Sequence, residues 1–334
     1  MVAQAGHPAA ELGAPVRQGW LDRAGRAVRF GIADRDTVMV ALSGFLIRGG
    51  ILILLVPSLV LPTVIGLAAF TGVDAFGIDG RASVWLVEMA MAAALAAAVW
   101  LVAAFVVGSI VDVWLIEAEL DPNGHSPRQR RPLPDRRMIL DLAAIRAFLA
   151  LPLIAAILWA SSRVYTSTYN ELTAPGDLSS PFVWRVFQGA ADGFLVIGVA
   201  WLVTETLGAI AIRRAVLLDR GVYRSIAEAA LQLLRRPVSS AATIVGTLAT
   251  FAVAALFAIA ATSTAFDWVR IAVRTAGPTN LLTGLTEFAV LVGAALVLGF
   301  AWVAALAVSG VASAWRSAAF TEETADAAAG HSPN

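Results

Sequence analysis

The chain has 334 residues, of which 59% are hydrophobic and 14% charged, with a formal net charge of zero. Mean hydropathy is +0.77. A soluble domain of this length needs a more polar surface, so the composition points to a polytopic membrane protein. No cysteine is present, which excludes disulfides, thiol nucleophiles and thiolate metal sites. All 24 basic residues are arginine, so a P-loop or Schiff-base lysine is excluded as well. Lysine absence and alanine richness together fit a GC-rich bacterial genome.

Residues 1–36 lack the apolar core of a cleavable signal peptide and read as a cytoplasmic N-terminal segment with a basic amphipathic helix. A six-helix transmembrane domain is expected over 37–320. A bilayer core about 30 Å thick needs about 20 apolar residues in a helix. Six stretches meet this: about 50–71, 85–114, 141–161, 184–212, 239–263 and 285–315. None has a period of two, which favours helices over a β-barrel. The expected fold is therefore an all-α polytopic bundle with short cytoplasmic amphipathic helices. Residues 321–334 read as a disordered cytoplasmic tail.

Arginines set the orientation. Arg17 to Arg35 precede the first span, Arg128 to Arg137 crowd the loop after the second, Arg213 to Arg236 follow the fourth, and Arg316 follows the sixth. The opposite side holds only Arg81, Arg163, Arg185, Arg270 and Arg274. The positive-inside rule places both termini in the cytoplasm of a bacterial plasma membrane. Trp85, Trp159, Trp184 and Trp268 then fall at the outer interface, and Trp114 and Trp315 at the inner one.

The even-numbered spans share a pattern around Trp100, Trp201 and Trp302, spaced 101 residues apart in both intervals. A small residue stands three before each: Ala97, Gly198 and Gly299. A glycine follows: Gly108, Gly208 and Gly310. The odd spans each begin near an arginine: Arg48, Arg146 and Arg235. Short helical patterns precede these arginines. Two readings stay open: a threefold repeat of helix hairpins, or similar packing needs in alternate helices. "GAADG", from Gly189 to Gly193, is a further close-approach pattern.

"RRAVLLDRGVYRSIAEAALQLLRRP", residues 213–237, carries the fourth helix out of the bilayer. Gly221 is expected to cap and break it. A second helix starts near Tyr223 or Ser225, with capping-box spacing from Ser225 to Glu228. Ile226, Ala229, Ala230, Leu233 and Leu234 share its apolar face, as in an interfacial amphipathic helix. On Gly221, Val222, Ser225, Ala229 and Arg235, this stretch resembles the connector of six-helix bacterial membrane proteins, including glycerophosphodiester phosphodiesterase-type membrane domains. The resemblance implies architecture only. The catalytic barrel of those enzymes has no counterpart here, so no catalytic residue carries over.

Ionisable residues inside spans are candidates for function. Glu205 is the deepest, one turn from Trp201 and flanked by Thr204 and Thr206. An arginine of an inbound helix, Arg146 or Arg48, is its expected partner. Asp112, Glu117 and Asp141 lie near the same interface as these arginines. Asp192, with Glu88 and Glu287, gives each outbound helix one outer-half carboxylate. His7, His125 and His331 lie in tails or a loop, so no intramembrane histidine can act as base or ligand. No HExxH, GxSxG, P-loop or dinucleotide motif occurs. No cofactor, metal, nucleic acid or catalytic residue is expected.

Two functions fit. The first is a non-catalytic scaffold or accessory subunit, touching anionic headgroups through its cytoplasmic arginines and docking a membrane or cytoplasmic protein. The second is a small transporter or channel built on Glu205 and Asp192. Transporters tend to show paired broken helices at mid-membrane. Pro57, Pro62 and Pro152 form no such pair, which favours the first.

Overall fold

A computed structural model describes residues 20–33, 35–55, 84–120, 134–174, 180–275 and 281–329. The elements among them are all helical: α1 (Trp20–Ala33), α2 (Arg35–Phe45), a π turn (Leu46–Gly50), α3 (Ile51–Leu55), α4 (Val84–Leu120), α5 (Arg136–Thr173), α6 (Phe182–Gly189), α7 (Ala191–Leu218), α8 (Val222–Arg235), α9 (Pro237–Thr275) and α10 (Leu281–Ala329). Five of them, α4, α5, α7, α9 and α10, contain stretches long and apolar enough to cross a membrane. The chain is thus a multi-pass membrane protein. Most of the first expected span, with Pro57 and Pro62, lies outside the described residues.

Helix α10 organises the bundle, packing against α1, α2, α4, α7 and α9. Its longest partner is α9, with which it forms a hairpin. A second pairing joins α5 to α7. The dense core lies at the arginine-rich end. There Val113 and Ile116 of α4, Leu142 and Ile145 of α5, Ile210 and Ala211 of α7 and Phe320 of α10 form one buried cluster. At the other end the helices present apolar side chains outward, such as Leu95, Val99, Phe257, Trp268 and Phe300. Lipid tails are as apolar as leucine, so these outward faces suit hydrocarbon.

Several elements depart from the sequence reading. Residues 321–329 continue α10 instead of forming a disordered tail. Thr321, Glu323, Thr324 and Ala327 are buried there, where α1 and the start of α9 meet this extension. Trp315, expected at the lipid interface, is buried against Ala27 and Ala318, and its indole N–H donates to Ala24 O at 3.4 Å. The fourth span is broken at Ala190 (φ −115°, ψ 14°) into α6 and α7. Both glycines of "GAADG" face α5 at this break. A Cβ on Gly193 would lie 3.0 Å from Ala160 Cβ, and one on Gly189 would collide with Ser167.

Gly221 does not cap α7. Asp219 does, in the left-handed region at φ 48°, a conformation aspartate tolerates better than most residues. Gly221 instead precedes α8 with extended backbone (φ −67°, ψ 162°). Ser225 lies inside α8, fully buried, with its hydroxyl donating to Arg220 O at 3.2 Å. A separate short helix, α8, precedes the long α9, whereas α5 runs unbroken from Arg136.

The π turn kinks the chain at Gly49, whose φ is 99°. Only glycine adopts this region without strain. A Cβ on Gly49 would touch nothing within 4 Å, so Gly49→Ala acts through the backbone alone. A loss of about 1–2 kcal/mol is expected in a micelle unfolding titration. Gly198→Ala is the control. Its Cβ also meets nothing, but its backbone is helical, so no loss is expected.

Candidate functional site

The kink at Gly49 follows directly on Arg48, the first member of a polar cluster. Asp112 of α4 is 4% exposed and accepts from two guanidiniums at once. Arg48 Nη2 donates to its Oδ1, and Arg146 Nη2 of α5 donates to its Oδ2. Arg48 Nη2 also donates to Gly108 O at 3.2 Å. Gly108 makes room for this clamp: a Cβ there would lie 3.3 Å from Arg48 Nε and 3.6 Å from Arg146 Cζ. Arg146 Nε is buried and has no hydrogen-bond partner.

Glu205 of α7 pairs with Arg316 of α10, Nη2 to Oε1 at 2.7 Å. The expected partner was Arg146 or Arg48. Those two act on Glu205 electrostatically, but their direct bonds go to Asp112. The reason is the length of α10, which carries Arg316 across to α7. Thr204, next to Glu205, donates across to Leu149 O of α5 at 2.9 Å. Leu149 is next to Phe148, whose carbonyl lacks its helix donor because Pro152 has no N–H.

Arg213, one turn beyond Ala209, is buried without a direct carboxylate partner. Its Nη2 donates to Ser317 O at 2.9 Å and Ser317 Oγ at 3.1 Å, and its Nε donates to Thr321 Oγ1 at 3.1 Å. The guanidinium also lies over the Phe320 ring, 5.5 Å from its centroid. Both oxygens of Glu119 are buried nearby without hydrogen-bond partners. Sequence reasoning missed Arg213 and Glu119 as cluster members. Arg213 was read as a topology signal and as a same-face neighbour of Glu205 two turns on, without its bonds to α10, and Glu119 sits in an ordinary-looking helix end.

The outer-half acids do not form a site with Glu205. Asp192 lies in the first turn of α7, about half exposed, and pairs with Arg163 Nε at 3.1 Å. The break at Ala190 puts it at a helix start. Glu88 is exposed near the start of α4. The Glu287 side chain lies outside the described residues. Among the packing candidates, Gly198 and Gly299 face open space. Trp100 and Trp201 are 45% and 39% exposed, while Trp302 packs against Ala258 and Ala305. The close approaches belong to later glycines: a Cβ on Gly310 would lie 3.0 Å from Val38.

Arg214 ties α8 to this end through Gln232 Oε1 at 2.9 Å and Glu228 Oε2 at 3.1 Å. Burial pushes the Glu228 carboxyl up, but bonds from Arg224 and Arg214 outweigh it and hold the group below its ordinary range. A depressed folded-state pKa stabilises above the unfolded value, and that stabilisation disappears as pH falls through the folded one. Protection of α8 amides in hydrogen exchange is therefore expected to fall as pH drops below about 4.3. Glu228→Gln should flatten that dependence.

Among the described residues no cluster of three or more metal-ligating side chains occurs. An apolar groove of about 410 Å³ lies along α9 and α10, lined by Phe257, Trp268 and Val297 among others, without any cluster residue. The arrangement supplies fixed charge and helix-to-helix bonds. Compared with protein families, curated proteins and solved structures, the chain matches none.

Proposed function

We propose that this protein is a non-catalytic scaffold or accessory subunit of a bacterial plasma-membrane assembly, with both termini cytoplasmic. The observation that carries this reading is the Glu205–Arg316 pair. The deepest carboxylate of the sequence is paired with an arginine of a neighbouring helix at 2.7 Å. The transporter alternative has less support. Its second acid, Asp192, sits at a helix start and is paired with Arg163. The likeness of residues 213–237 to phosphodiesterase-type membrane domains belongs to the same proposal, as architecture without chemistry. Crosslinking and co-purification from the native membrane should yield a stable protein partner. Absence of any partner, together with an ion or solute flux abolished by Glu205→Gln, would replace the scaffold by a transporter.

A further inference from the structure

The cluster around Asp112 and Glu205 holds more positive than negative charge. Arg48, Arg146 and Arg316 face two carboxylates, which leaves one charge unmatched. Beside them lie Arg213 and Glu119, of opposite sign, and Arg213 acts on Asp112 as well as on Glu119, so they do not make up the missing negative charge. The donors are in surplus too. Each guanidinium carries five N–H groups. Arg48 spends one nitrogen, Nη2, on both Gly108 and Asp112. Arg316 spends Nη2 alone on Glu205, and Arg146 Nε has no partner. An unmatched guanidinium beside hydrocarbon is costly, and a planar fork suits phosphate oxygens.

The cluster is not sealed. The Arg48 and Glu205 side chains are about a third exposed, at 34% and 35%. The surface beside them is apolar: Leu52, one turn on from Arg48, is 65% exposed, and Trp201, one turn before Glu205, is 39% exposed. The opening therefore borders lipid more than bulk water. We propose that Arg48, Arg146 and Arg316 bind the phosphodiester of an anionic lipid headgroup, whose single negative charge completes the cluster. This is independent of whether the protein has a protein partner.

Native mass spectrometry of the full chain, with phosphatidylglycerol or phosphatidylcholine added in micelles, tests it. Phosphatidylglycerol should be retained preferentially. Arg48→Gln should weaken its binding about fivefold, and Glu205→Gln, which removes a competing negative charge, should strengthen it by about the same factor. If Arg48→Gln does not fold by circular dichroism, Glu205→Gln decides alone. Equal retention of the two lipids, or unchanged affinity in a folded variant, overturns the proposal. So does displacement of the lipid by soluble glycerol phosphate, which would make the ligand a free phosphoester.

Discussion

Asp112→Ala is expected to destabilise the protein by about 3–5 kcal/mol, the cost of leaving a buried charge without its partner. Here two guanidiniums lose one carboxylate. Arg146 suffers most, since its side chain is 15% exposed and its Nε is already unsatisfied. Arg48, at 34%, can turn outward and recover some solvation. The triple variant Asp112→Leu with Arg48→Met and Arg146→Met removes the charges together. It should be markedly more stable than Asp112→Ala, because replacing a whole buried ionic set by apolar residues is often neutral. Unfolding of both variants in the same micelle checks this. Comparison with ordinary interhelical hydrogen bonds, about 0.6–2 kcal/mol each, shows why this carboxylate should dominate.

Deleting residues 321–334 is the second large expected effect. As a disordered tail this segment could be removed freely. In the structure it contributes buried Thr321, Glu323, Thr324 and Ala327. It also supplies the Arg26 Nε bond to Glu322 and the Arg236 bond to Asp326, both at 2.8 Å. Ser239 adds a hydroxyl bond to Glu323 at 2.7 Å. Exposed pairs contribute little individually, but burying and bonding several polar groups at once makes a loss of several kcal/mol the expected outcome. Deleting only residues 330–334 should be neutral. Melting curves of the two truncations, run side by side, separate the helix from the residues beyond it.

Five of the expected spans were legible because length and apolar content alone specify a membrane helix. The tail was not. "TEETADAAA" looks polar, yet Thr321, Glu323, Thr324 and Ala327 lie on a face that neighbouring helices cover, and a buried glutamate among them hides the apolar periodicity. The candidate site was half legible. Asp112, Arg48 and Arg146 fell within one interface, and the pairing was open to inspection. The partner of Glu205 was not, because Arg316 lies 111 residues away and its helix had been expected to end near it. The tryptophan spacing misled in detail. The close packing fell on Gly108 and Gly310 instead of Gly198 and Gly299.

The central claim is that Glu205 is a structural partner of Arg316 and not a group poised for transport. A double-mutant cycle tests it most directly: Glu205→Gln, Arg316→Gln and the pair together, with unfolding free energy measured in micelles. Residues in direct contact show coupling of about 0.5–3 kcal/mol. The expected result is that each single variant is destabilised and the double variant is little worse than the worse single one. Strict additivity of the two losses would contradict the account.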